Sequence, residues 1–378
     1  MAVESAARDV PLDAAPPSPS AARRARRVAT DAVTVAAALT LGLLALVALL
    51  VAGGYDAPRA LRALWEGSFG SGYALYSATL VRATPLILTG LAVTLAFTTG
   101  VLNIGAEGQL LAGAAAAAAV GVHATGLAAP LAVPAALAAG TLAGAAWALP
   151  AALLRRRFGL LEVISTIMLN FVAVHVVGWL VRGPLQEPSR IYPQSASVAD
   201  AARLPVLLPG TRLHLGFALA LAAAVALWWA VRRTAWGFRL RASGASPTAA
   251  ASAGLIDVPR TAAAAFLASG ALAGLAGAVE VGGVTYALYE NISPGYGYTA
   301  IAVALLARLD PLLVIASGVL FGALEAGAGA MQRDAGVPSV MVSVVEATII
   351  LLLVALDRLR DRSPVAASWQ WGGAPAHS

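Results

Sequence analysis

Ten apolar stretches, most of them close to twenty residues long, constrain this chain more than any other feature. They lie near 32–53, 83–100, 105–122, 128–153, 162–181, 214–231, 261–282, 297–307, 312–331 and 339–356. A helix needs about 20 apolar residues to cross the hydrocarbon core, and such spans satisfy their own backbone polar groups. The expectation is therefore an all-α, polytopic transmembrane helical bundle of about ten spans. The stretches near 83–100, 105–122 and 297–307 are short or glycine-rich, so some are expected to be broken or re-entrant. Composition agrees: 12% of residues are charged, against about 25% in a soluble chain.

Arginine placement tests the count and sets the orientation. With the N-terminus inside, cytoplasmic segments hold 17 of the 25 basic residues and outside segments hold 8. That bias fits an even number of spans with both termini cytoplasmic. It also argues against nucleic acid as a partner, because the net charge of +6 is scattered between spans and forms no single stripe. Residues 1–30, rich in Ala, Pro, Ser and Arg, read as a disordered cytoplasmic tail ending in Arg23, Arg24, Arg26 and Arg27. Residues 31–356 form the transmembrane domain, and 357–378 a cytoplasmic C-terminal tail. The run Val33 to Gly53 exceeds the 7–15 apolar residues typical of a cleavable signal, so it reads as a retained first span.

Several chemistries are excluded. Cysteine is absent and every basic residue is arginine. There is no disulfide framework or cysteine metal site, no lysine for a nucleotide-binding P-loop and none for a Schiff base. His123, His175, His214 and His377 show no metal-ligand spacing, and no nucleophile stands beside a base. Neither a catalytic residue nor a metal site is expected.

Two loops stand out: an outside loop near 182–213 with five prolines, and a cytoplasmic loop near 232–260. The latter reads RRTAWGFRLRASGASPTAAASAGLIDVPR. Ser246 suits an N-cap, Pro247 a first helical turn and Gly254 the C′ position. Thr248 to Ala253 between them is long enough for about two turns. A short capped helix with small side chains, Ala250 among them, suits docking to a separate ATPase. An ordinary cytoplasmic linker is the other reading.

Polar residues inside spans are costly and mark function by default. Glu162, Thr166 and Asn170 lie at i, i+4 and i+8 and share one helix face. Asn103 and Glu107 form a second such pair, with Gln109 nearby. These groups suit either the lining of a path for a polar, uncharged solute or the tying together of neighbouring helices. Glu162 follows Arg155–Arg157, which points to an interfacial or gating role. Tyr296 and Tyr298 sit where Ser293, Pro294, Gly295 and Gly297 interrupt any helix. They fit stacking on a solute ring or anchoring in the aromatic belt. Glu280 and Glu325, near the ends of apolar runs, fit the outer surface or a gate without an assigned role.

The cytoplasmic loop resembles the ATPase-coupling loop of bacterial ATP-binding-cassette permeases of the branched-chain amino acid, ribose and nucleoside importer superfamily. The matching positions are Trp236, Gly237, Phe238, Arg241, Ala242, Gly244, Ala249 to Ala251, Gly254 and Leu255. The stretches GVLNIGAEGQLL, LEVISTIMLNF and SPGYGYTAIAVALLA narrow the resemblance to permeases of nucleoside or simple-sugar importers served by a basic-membrane-protein type lipoprotein. It runs from about Arg82 to Leu356 and departs at Ala307–Pro311 and Thr299. It implies a permease in the bacterial inner membrane, paired with a second homologous permease. A separate ATPase carries ATP and Mg, this chain binds no cofactor, and the solute is a nucleoside or a simple sugar. An ion-coupled secondary transporter is a rival, but it calls for inverted repeats and a midplane carboxylate. A membrane enzyme of lipid or cell-wall metabolism is another, and lacks its clustered acids.

Overall fold

The computed structural model describes residues 21–355 apart from 253, 255, 339, 345, 346, 349, 350, 353 and 354, with side chains from residue 33 onward. Most of both expected tails, and Leu255, fall outside the described residues. The helices are α1 (Ala21–Ala52), α2 (Ala57–Ser68), α3 (Leu80–Thr98), α4 (Ala106–His123), α5 (Ala129–Phe158) and α6 (Glu162–Arg182). They continue with α7 (Leu215–Arg233), α8 (Ala235–Ala245), α9 (Pro247–Ser252), α10 (Val258–Glu280), α11 (Tyr296–Leu306) and α12 (Leu313–Ala335). A π-helical turn at Ala74–Thr79 leads into α3, and another at Val281–Thr285 extends α10.

Among the described residues, seven helices are long and apolar enough to cross a membrane: α1, α3, α5, α6, α7, α10 and α12. The three other expected spans differ for identifiable reasons. The 18 residues of α4 carry Glu107 and Gln109 in the first turn and are diluted by glycine and alanine. At 11 residues, α11 rises only about 16 Å, half of the roughly 30 Å hydrocarbon core. The stretch 339–356 falls partly outside the described residues. At the other end, α1 begins at Ala21, inside the segment read as tail, since alanine and arginine are strong helix formers.

Close packing around α10 holds the bundle. A Cβ on Gly274 would collide with the backbone of Gly140 and Gly144 on α5, and one on Gly113 of α4 with Gly274 itself. Three helices thus cross at backbone contact, which only glycine permits. Buried over most of its length, α3 lies against α10 and α12. By contrast α6 turns Ile164, Met168, Phe171, Val172 and Trp179 outward, all exposed. A contiguous apolar face of that extent suits lipid, not water.

The sequence pattern did not show α2, whose 12 residues are too few and too polar for a span. Asp56 caps it by accepting from Arg59 N at 3.0 Å. Its Ala57, Ala60 and Ala63 are buried, and the Ser68 hydroxyl donates to Ala323 O on α12 at 2.6 Å. The outside loop is pinned to the end of α10: Ser195 N donates to Leu288 O at 2.7 Å and Leu204 N to Gly282 O at 2.8 Å. Within it, Glu187 accepts from the Ser189 hydroxyl at 2.6 Å and from Gln194 Nε2 at 2.8 Å. Those bonds hold its carboxyl below the ordinary range.

Candidate functional site

Two interrupted helices meet inside the bundle. Between α3 and α4, residues 101–105 are non-helical, and Gly100 takes a φ of +76°. Backbone away from water requires partners, and polar side chains supply them. Gly105 N donates to Asn103 Oδ1 at 2.9 Å, Leu102 N to Glu162 Oε1 at 3.3 Å, and Asn170 Nδ2 to Ile104 O at 2.9 Å. Asn170 Oδ1 also accepts from Gly108 N at 2.9 Å. Asn103 Nδ2 donates to Gln109 Oε1 and to Ser269 Oγ, both at 2.8 Å, and the Ser269 hydroxyl donates to Ala92 O at 2.6 Å.

The second interruption precedes α11. Ser293 Oγ accepts from Gly295 N at 3.1 Å and Tyr296 N at 3.0 Å. Glu107 Oε2 accepts from Gly297 N at 2.7 Å and bonds the Ser293 side chain. Glu107 thereby sits in the first turn of α4 and against the first turn of α11. Both helix N-termini favour a negative charge there. Asn170 Nδ2 reaches the Tyr298 hydroxyl at 3.2 Å and joins the two interruptions.

Of the residues singled out in the sequence, Asn103, Glu107, Gln109, Thr166 and Asn170 are all buried and converge on this junction. The Thr166 hydroxyl bonds Glu162 O on its own helix at 2.7 Å. Glu162 pairs with Arg155 at 3.4 Å, near the end of the bundle that carries Arg155–Arg157. The tyrosines part company: Tyr296 is buried and Tyr298 is 44% exposed. Ser269 belongs to the junction but lay in an apolar run with no spacing signal.

At the end bearing Arg232 and Arg233, α8 and α9 form a compact pair. Thr234 caps α8 by accepting from Gly237 N at 3.1 Å. Ser246 Oγ accepts from Ala249 N at 3.3 Å, Pro247 opens α9, and Gly254 takes a φ of +70°. Phe238, Arg241, Ser246 and Pro247 are exposed, while Ala250 is buried. Gly244 abuts the carbonyl of Thr98 at the end of α3, leaving no room for a Cβ. Beside it, Arg232 pairs with Asp310 at 2.7 Å, and a shallow cavity of about 520 Å³ runs past Phe97, Arg241 and Leu309. Among the described residues no group of three or more His, Asp or Glu side chains fits a metal ion.

Interrupted helices buried in a multi-span apolar bundle, over a pair of short exposed helices at one end, define a multi-pass membrane protein. Residues 75–355 match the family described as the permease component of the branched-chain amino acid transport system, and the chain belongs to that family. It is 39% identical to the guanosine ABC transporter permease protein NupP of Bacillus subtilis, over 85% of this chain and 93% of that one. It is 37% identical to the glucose ABC transporter permease protein TsgB13 of Haloferax volcanii, over 92% of both chains. The nucleoside ABC transporter permease protein NupB of Lactococcus lactis is 29% identical over 84% of this chain and 88% of its own. No solved structure matches the chain.

Proposed function

We propose that this permease carries a nucleoside across a bacterial inner membrane, as one of two homologous permeases served by a lipoprotein and driven by a separate ATPase that binds ATP and Mg. The observation that carries the reading is the 39% identity to a guanosine permease over nearly its full length. The 37% identity to a glucose permease supports a simple sugar as the second reading. The reading takes ten crossings with both termini cytoplasmic: the seven long helices, α4, the interrupted segment that ends in α11, and the apolar stretch 339–356 of the sequence. In that orientation Arg155–Arg157, the α8–α9 pair and the Arg232–Asp310 bond share the cytoplasmic end.

Asn103, Glu107, Gln109, Thr166 and Asn170 serve the solute path by holding the two interrupted helices that shape it, and Tyr298 faces the solute. Tyr296 stands beside it on the same helix, and Glu162 with Arg155 closes the cytoplasmic boundary. Phe238, Arg241, Ser246 and Pro247 present the surface that the ATPase grips, while Gly244, Ala250 and Gly254 seat and end the short helices. Seating of Gly244 against the end of α3 gives motion of α8 a direct route into the bundle. A Thr248→Cys variant, alone reactive in this chain, is expected to crosslink to the ATPase subunit in the assembled importer. Absence of any crosslink from α9, in a complex that still transports, contradicts the docking role.

A further inference from the structure

Against the second interruption of the helix junction, on the side away from α8 and α9, lies a polar chamber with unfilled hydrogen-bonding capacity. Two cavities meet at Arg82 and Pro294, which line both. One, of about 360 Å³, reaches Arg212, Glu280 and Tyr296. The other, of about 520 Å³, reaches Glu325 and Tyr298. Both fall within the size range of small-molecule sites, about 300–1,000 Å³.

Glu280 is 4% exposed. No group among the described residues donates a hydrogen bond to its carboxylate; what acts on it is the charge of Glu325, Arg82 and Arg212. Glu325 holds Arg82 only at 3.8 Å, and its Oε2 is buried without a hydrogen-bond partner. The Tyr296 hydroxyl lines the same chamber as Glu280 and likewise bonds no described group. Buried polar atoms left open in this way call for water or a ligand. Their chemistry narrows the ligand. The open carboxyl oxygens accept, so the ligand brings O–H or N–H donors, and a carboxyl that carries a proton donates in return. Arg82 and Arg212 each face a carboxyl group in the chamber, Glu325 or Glu280, so neither guanidinium stands there as an unopposed charge that would select an anion.

We propose that this outer chamber is a holding site for an uncharged ring solute rich in donors. Glu280 hydrogen-bonds neighbouring O–H or N–H groups of the ring, such as a vicinal diol, and the Tyr296 hydroxyl fixes the ring's orientation. The site rests on the solute reading above and places it upstream of the helix junction. A solute leaving Glu280 passes Arg82 and Pro294 to reach Tyr298, whose hydroxyl bonds Asn170.

The test uses the assembled importer in membranes. The chain has no cysteine, so an Asn291→Cys variant at the exposed rim of the chamber reports its access to a membrane-impermeant maleimide. A solute occupying the site slows labelling by 1 + [L]/Kd, about fivefold at four times Kd. Guanosine is expected to protect to that degree and guanosine 5′-phosphate is not. Adding Glu280→Gln is expected to abolish protection while the rate without solute stays the same. Should that variant fail to assemble, protection with Glu280 intact decides the matter. Protection by glucose alone keeps the site and overturns the nucleoside. Equal labelling with and without either solute overturns the site, and guanosine uptake by the same membranes then tells whether the nucleoside reading stands. Protection by the phosphate as strong as by guanosine overturns the choice of an uncharged solute.

Discussion

Asn170 and Thr166 lie one turn apart on the same face of α6, yet the structure gives them unequal weight. Asn170 bonds Gly108 N, Ile104 O and the Tyr298 hydroxyl. The first two are backbone groups at the interruption, Gly108 N in the first turn of α4 and Ile104 O in the connection before it, and they have water to turn to only if the bundle opens. Asn170→Leu keeps the volume and removes all three bonds. Interhelical hydrogen bonds in membrane proteins average about 0.6 kcal/mol and reach about 1.7, so losing the two backbone partners costs about 1–3 kcal/mol. The Thr166 hydroxyl bonds carbonyls of its own helix, Glu162 O at 2.7 Å and Val163 O at 3.1 Å. Those carbonyls keep their helical partners in Thr166→Val, a change expected to stay within about 0.5 kcal/mol. Equilibrium unfolding in mixed micelles of rising SDS content, followed by tryptophan fluorescence, measures both variants. Coincident midpoints, or a Thr166→Val variant weaker than Asn170→Leu, refute the assignment of Asn170 as the tie between the two interruptions.

Gly244→Trp pushes α8 off the Thr98 carbonyl and is expected to leave membrane insertion intact while uptake falls by a coupling loss of about 5- to 150-fold. Normal uptake by this variant contradicts the route from α8 into α3. In the outside loop, hydrogen bonds from Ser189 and Gln194 depress the Glu187 carboxyl below the ordinary glutamate value of 4.5. Its contribution to loop order is therefore present above about pH 4.5 and fades as the pH falls through the lower, folded value. Hydrogen exchange at Tyr192 N, which Glu187 Oε1 accepts at 3.2 Å, is expected to quicken over that acid window and to be fast throughout in Glu187→Ala.

Spacing revealed much of the helical framework because an apolar run near twenty residues has few other uses, and the intramembrane polar residues stood out against it. The i, i+4, i+8 stripe of α6 and the NIGAEGQ stretch were visible separately. Their meeting was not, since Asn170 and Gly108 are 62 residues apart and the contact depends on where α3 stops. Nor did the pattern show α2, whose Ala57, Ala60 and Ala63 make too narrow a stripe to mark burial against α12. Glu280 and Arg82 sit on different helices with no shared spacing, so the outer chamber emerges only when α3, α10 and α12 are packed. Short half-helices such as α11 are the hardest to read, because a run of 11 apolar residues is equally at home inside a soluble core.

Transport in a defined vesicle is the most direct measurement. This chain, its partner permease and the ATPase are reconstituted together, with the loaded lipoprotein outside and ATP available to the ATPase. Guanosine is expected to accumulate only when all the subunits and ATP are present, and vesicles holding this chain alone under a proton or sodium gradient are expected to take up none. Guanosine entry driven by such a gradient, with no ATPase in the membrane, would show that the chain works by itself and that α8 and α9 are not a handle for nucleotide-driven motion.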